Sequence, residues 1–460
     1  MSDDSTRGRL TRGVKAALLD TMRRAPVGEK PAAAPSSRAA RRDMSFASLP
    51  AYQQLSSQRG MADALGLNFP FYRTHDARAG ARSVINGSEV VNFASYDYLG
   101  LNGHPEITRA VAAATEQWGT SVSASRITAG ERGFHHDLER AIAEIYEAEA
   151  SLVFVSGHAT AVSTIAALLG PKDLILHDAL IHNCVVVGAQ LCGATRRSFP
   201  HNDMDALADI LASTRDRFER VLIVSEGLYS MDGDGPDLAR LADIKEQFDC
   251  WLMVDDAHAL GILGKTGKGI FEMADVDPKR IDIWLGTLSK TLVSCGGYVA
   301  GNRVLVEYLK LTAPGMVYSV GIPAPAAVAS LTAIQLMQRE PERVARLQAN
   351  GQRFLRKARE AKLDVGTSWG YAVTPVILGD SLRTIMLADR LLKRGYNAFP
   401  IVPPGVPEQS ARLRFFISSE HTDADIDGAV AATREELTQL EQAGTSLGTM
   451  AKLMMAKIRS

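Results

Sequence analysis

The sequence predicts an α/β protein, a large and mostly parallel sheet followed by a smaller α+β domain. Three stretches carry that prediction. Val221-Leu222-Ile223-Val224, Trp251-Leu252-Met253-Val254 and Ile281-Asp282-Ile283-Trp284-Leu285-Gly286 are largely apolar and short enough to be buried strands. They recur about every thirty residues, the length of one strand–helix–strand unit. Each ends in polar chemistry: Ser225-Glu226, then Asp255-Asp256-Ala257-His258, then Thr287-Leu288-Ser289-Lys290. Strand carboxyl ends in an open parallel sheet line one crevice, where ligands bind. A lysine, carboxylates, an imidazole and hydroxyls should therefore converge there.

The remaining elements follow in chain order. At 460 residues the chain exceeds one ordinary domain. Residues 1–43 hold ten Lys/Arg and five Asp/Glu, a net of +5 against −6 for the rest. A basic tail on a mildly acidic body points to a partner for the tail, not to nucleic-acid binding by the fold. Leu10, Val14, Leu18 and Met22 read in two ways: a short basic amphipathic helix for anionic lipid or an acidic carrier protein, or a leader with incidental spacing.

Residues 44–91 form a lead-in segment, with a hairpin at Val84 to Val91 turned by Asn86-Gly87. The large domain is expected over residues 92–325. Its helices include Pro105 to Gly119 and His135 to Ala148, and its strands Ser151 to Val155 and Leu174 to His177. The small domain, residues 326–443, follows a helical stretch from Ala324 to Ala361. It has strands near Ala372 to Leu378, Asn397 to Val402 and Arg412 to Ser418, with helices at Leu382 to Arg394 and Asp423 to Ala443. Residues 444–460 make a second basic amphipathic tail.

No window approaches the roughly eighteen apolar residues that span a bilayer, and the N-terminus lacks a secretory pattern. Four scattered cysteines without metal-type spacing indicate reduced thiols, no metal site and a cytoplasmic home. Contact of the basic termini with the inner face of the membrane is the elaboration of that placement.

A lysine just past a buried strand is costly unless its charge is used or suppressed. Burial lowers the ammonium pKa and frees a nucleophilic amine, the group that forms a Schiff base with an aldehyde. Together with a strand-end carboxylate, an imidazole and small hydroxyls, it makes the set that pyridoxal phosphate needs.

Seven stretches in fixed order then resemble one family, the α-oxoamine synthases. They are Asn92-Phe93-Ala94-Ser95-Tyr96-Asp97-Tyr98-Leu99-Gly100-Leu101, Ser156-Gly157-His158-Ala159, His201-Asn202-Asp203, Glu226 to Asp234, Val254 to His258, Gly286 to Lys290, and Ala411-Arg412-Leu413-Arg414. The resemblance implies a fold-type I pyridoxal phosphate enzyme acting as a homodimer. It implies that Lys290 holds the cofactor and moves the α-proton, that Asp255 pairs with the ring nitrogen, and that His182 stacks on the ring. His258 would meet the phenolic oxygen, and Ser156, Gly157 and His158 the phosphate. Glu226, Ser230 and Thr287 would be further cofactor contacts, Ser319 a phosphate contact from the neighbouring subunit, and Arg414 and Tyr96 substrate contacts.

The implied reaction is decarboxylative condensation of serine, glycine or alanine with an acyl thioester on coenzyme A or a carrier protein. Departures from the family pattern are Val320 in place of a threonine and Tyr96 in place of an asparagine. In the family's 8-amino-7-oxononanoate synthases an arginine about twenty residues before the Asn-Phe pair helps recognise the carboxylate. Here Gly66 to Tyr72 is apolar and aromatic, which leans toward a long acyl chain, as in serine palmitoyltransferase. The alternatives are 8-amino-7-oxononanoate synthase or 2-amino-3-ketobutyrate ligase activity, an aminotransferase, and a non-catalytic regulatory subunit.

Overall fold

The structure is a computed structural model and describes residues 43–64 and 69–444. Both basic tails, and the Gly66 to Asn68 part of the aromatic stretch, lie outside the described residues. The chain forms two compact units, Met1–Leu65 and Gly66–Ser460. The described part of the first holds a short helix, Pro50–Ala64, after a single turn at Phe46–Ser48.

The second unit is built on a seven-stranded sheet. Its strands are β3 (Ala150–Phe154), β4 (Leu174–Asp178), β5 (Thr195–Phe199), β6 (Val221–Glu226), β7 (Trp251–Asp255), β8 (Ile283–Thr287) and β9 (Gly297–Gly301), in the order β3-β9-β8-β7-β6-β4-β5. All neighbours are parallel except β9, which runs antiparallel to both β3 and β8. Alternate residues of each central strand feed opposite cores. Val221, Ile223, Leu252, Val254 and Trp284 belong to one, and Leu222, Val224, Met253, Ile283 and Leu285 to the other. Helices cover both faces, so the strands read as continuous apolar runs without alternation.

Ahead of this sheet, β1 (Arg82–Ile85) and β2 (Ser88–Asn92) form the expected hairpin. Asn86 and Gly87 turn it with φ of 52° and 74°, the left-handed pair that a two-residue hairpin needs. Behind it, β10 (Val373–Ile377), β12 (Phe399–Ile401) and β13 (Arg412–Phe416) make an antiparallel sheet, order β10-β13-β12. The short β11 (Tyr396–Asn397) pairs parallel with β2 and ties the hairpin to this C-terminal sheet.

Two elements differ from expectation. The helical stretch expected over residues 324–361 is divided into two helices, Ala324–Arg339 and Glu342–Glu360. Pro341 restrains the residue before it and cannot continue the hydrogen-bond ladder. The expected strand from Asn397 to Val402 is split between β11 and β12, which join different sheets. No strand is expected at β9: Gly296-Gly297 marks a tight turn or a close backbone approach, and Gly297 both opens the strand and lies against Gly157.

Candidate active site

The ends of β6, β7 and β8 set the site. Glu226 and Asp255 are register partners on adjacent strands, and Lys290 lies three residues past Thr287, the last residue of β8. Burial lowers the Lys290 ammonium below its usual value, with Asp255 and Glu226 opposing. Burial raises Asp255, with Lys290 the main opposing influence. The Glu226 carboxyl is pushed up to about 8, by burial first and then by Asp255. Glu226 Oε1 still accepts the backbone N–H of His182 at 2.8 Å, which joins the β6 end to the loop after β4.

His182 caps the helix Asn183–Cys192, and its Nδ1 faces two donors of Cys184, the backbone N–H at 3.3 Å and the thiol at 3.0 Å. With burial lowering its pKa, this is a neutral imidazole carrying its proton on Nε2. His158 is the second residue of the helix Gly157–Leu168 and meets the His182 ring edge-on at 6.5 Å. Ser156 caps that helix by accepting from Ala159 N–H. A Cβ on Gly157 would stand 2.9 Å from Thr287 Oγ1, so only glycine lets the helix start come this close to the β8 end.

From the other side, His258 Nδ1 lies 2.8 Å from the Tyr98 hydroxyl, and its ring stacks on Phe416 at 5.9 Å. Burial takes the His258 imidazole well below its usual value, so it is neutral. The Tyr96 ring packs edge-on to Phe416 at 5.0 Å, and Lys290 Nζ lies 5.7 Å from its centre. Arg414, on β13, donates through Nη1 to the Ser230 carbonyl at 3.1 Å, while its buried Nε has no hydrogen-bond partner. The sheet therefore brings Lys290, Asp255, Glu226 and His182 together and places Arg414 against Ser230. Ser319 is different: its segment bridges to Ser125 through Val320, and among the described residues it has no hydrogen bond to this group.

A family model described as aminotransferase class I and II matches residues 88–432. The chain is 39% identical over 351 residues to 8-amino-7-oxononanoate synthase of Symbiobacterium thermophilum, covering 76% of this chain and 89% of that one. The chain is an α-oxoamine synthase of the class I and II aminotransferase family. Among solved structures, Sphingomonas wittichii serine palmitoyltransferase matches with TM-score 0.81 and 26% identity, over 85% of this chain and 98% of that one. A structure titled as SPT with PLP internal aldimine matches with TM-score 0.82 and 25% identity, over 86% and 99%.

The synthase is a pyridoxal phosphate enzyme, and its residues fit that group. A lowered-pKa amine, a buried carboxylate on the neighbouring strand, and a helix start kept open by Gly157 meet at the carboxyl ends of β7 and β8. Tyr98 and Cys184 orient His258 and His182; Tyr98 lies within the Asn92–Leu101 stretch, and nothing local to either residue marks that role. The Gly66 to Tyr72 stretch ends one residue before Arg73. The apolar stretch is followed by a partly buried arginine whose Nη1 donates to Asn397 Oδ1 at 3.1 Å and whose buried Nη2 has no hydrogen-bond partner. Burial lowers its guanidinium pKa, against the attraction of Asp389. The expectation of a long acyl chain requires that no such arginine be present, and Arg73 overturns that premise.

Proposed function

We propose that the synthase joins alanine to a seven-carbon acyl thioester ending in a carboxylate, the reaction of an 8-amino-7-oxononanoate synthase. The product name of the curated relatives defines the parts. A nine-carbon acid with a ketone at carbon 7 and an amine at carbon 8 divides into a heptanedioyl group and the two carbons alanine keeps after losing carbon dioxide. The balance is alanine plus thioester giving amino ketone, carbon dioxide and free thiol.

When bound, pyridoxal phosphate withdraws electrons from the amino acid's α-carbon. Lys290, its ammonium pKa lowered by burial, takes and returns the α-proton. Asp255 offers the buried carboxylate that keeps the ring nitrogen protonated. Neutral His182 presents Nε2–H to the reacting face, and neutral His258, held by Tyr98, meets the phenolic oxygen. Ser156, Gly157 and His158 receive the phosphate at a helix start. Arg414 takes the α-carboxylate, with its unpartnered Nε as the waiting donor. The reading includes a second copy of the chain, whose Ser319 completes the phosphate site.

Arg73 is the observation that favours a carboxylated acyl chain. Phe71 packs edge-on to Phe399 at 5.7 Å, and Phe399 is the register partner of Arg414. An apolar line thus runs from beside the α-carboxylate site toward an arginine with a free donor. An apolar chain of a few carbons capped by a carboxylate suits that sequence of contacts, since a buried donor left unmade is costly. With alanine saturating, Arg73→Ala should raise KM for the heptanedioyl thioester about tenfold, one charge-assisted hydrogen bond, and leave the uncharged heptanoyl thioester nearly unchanged. Equal effects on both thioesters, or better turnover with palmitoyl than with heptanedioyl, would contradict the reading.

A further inference from the structure

Two loops present the groups assigned to the substrate's polar end, and one histidine holds both. Asp178 ends β4, and its Oδ1 and Oδ2 accept the N–H groups of Leu180 and Asn202, each at 2.8 Å. That fixes the turn leading to His182. Asp234 closes the loop after β6: its carbonyl accepts Tyr229 N–H at 2.7 Å, and the loop's Ser230 carbonyl receives Arg414.

His201 follows β5 and stands between the two acids. Its Nδ1 is 2.8 Å from Asp178 Oδ1, and its Nε2 is 3.1 Å and 3.2 Å from the Asp234 oxygens. Both ring nitrogens meet carboxylates, an arrangement that is satisfied when both carry protons. Asp178 and Asp234 are the charged groups facing the ring. Tyr229 packs edge-on at 4.6 Å, the Asn202 amide lies 3.2 Å from Nε2, and Thr367 donates to Asp234 at 2.5 Å.

We propose that His201 is a positioning residue, an imidazolium that clamps the His182 loop to the Ser230–Asp234 loop and so fixes His182 and Arg414 relative to each other. The clamp rests on the roles proposed above for those two residues. Burial opposes the charge, but hydrogen bonds and attraction from Asp178 and Asp234 outweigh it and push the imidazole up to about 10. Asp178 and Asp234 are almost sealed from water, and a neutral imidazole, with its single N–H, would leave one of these two buried carboxylates without its donor.

The test compares His201→Gln and the isosteric Asp234→Asn with the native chain. Amino-acid Kd is read from the cofactor absorbance, thioester KM separately, and melting temperature on cofactor-free protein. The clamp predicts amino-acid Kd raised about tenfold in both variants, the scale of one charge-assisted hydrogen bond, with thioester KM within about twofold. In the native chain amino-acid affinity should hold through neutral pH and fall as pH rises through about 10. His201→Gln should lack that fall. Arg414→Ala is the control. Unchanged amino-acid affinity in that control defeats the site assignment itself. Weakened affinity there with native affinity in the clamp variants, whatever their melting temperatures, overturns the clamp alone. If His201→Gln does not fold, Asp234→Asn decides by the same readings.

Discussion

His421 shows how a single buried side chain ties folding to pH. Its Nδ1 accepts Ser418 N–H at 2.9 Å, Nε2 faces the Asn92 carbonyl at 3.3 Å, and the ring stacks on Phe93 at 4.2 Å. Burial is the main cause that pulls its pKa down to about 4. A base whose folded pKa lies below its unfolded value binds its proton more readily once unfolded. Its stabilisation is therefore present above about 6.5 and lost as pH falls through about 4. That shift corresponds to about 3 kcal/mol. His201 has the opposite sign: its stabilisation is full below about 6.5 and is lost as pH rises through about 10. Melting of the cofactor-free protein across pH should weaken at both ends, with His421→Gln flattening only the acid limb. An unchanged acid limb in that variant would assign the acid loss to other groups.

Legibility in the sequence also divides residue by residue. Lys290, Asp255 and Glu226 could be read because each closes an apolar run, and a strand end in such a sheet faces the crevice. Arg414 is marked only by its place in an ordered motif and His182 only by the family resemblance, since nothing in their local pattern marks them. His201 lies in an ordered motif that marks no role for it, because its partners Asp178 and Asp234 are distant in the chain and joined only by the fold. Arg73 was hidden by the aromatic residues directly before it.

At the scale of elements, close approaches position the cofactor end of the site. The start of helix Gly157–Leu168 lies against β8 and β9, and a Cβ on Gly297 would sit 2.5 Å from both Gly157 Cα and Thr160 Oγ1. Gly297→Ala should push that helix start outward, at a cost of about 1–3 kcal/mol for overpacking. It should lower melting temperature and weaken retention of pyridoxal phosphate, measured by dialysis and absorbance, while Arg73-dependent discrimination among thioesters stays. Full cofactor retention would show that the helix start is not the phosphate cradle. The central strands were legible because helices cover both faces and leave continuous apolar runs. The split near Ala398 was not, because which sheet a two-residue strand joins depends on Asn92, far earlier in the chain.

At the scale of the whole molecule, the second unit draws its site from two of its three sheets. The seven-stranded sheet supplies the lysine and the acids, and β13 of the three-stranded sheet supplies Arg414, which rests on the Ser230 carbonyl of the loop after β6. Among the described residues no helix is long and apolar enough to cross a membrane. The same fold serves aminotransferases, which would share Lys290 and Asp255 but leave the amino acid's carboxyl carbon in a keto acid. The decisive measurement supplies alanine labelled with carbon-13 at the carboxyl carbon, together with heptanedioyl thioester. The account predicts one labelled carbon dioxide and one free thiol for each 8-amino-7-oxononanoate formed, all lost in Lys290→Ala. Labelled pyruvate without carbon dioxide or thiol release would contradict it.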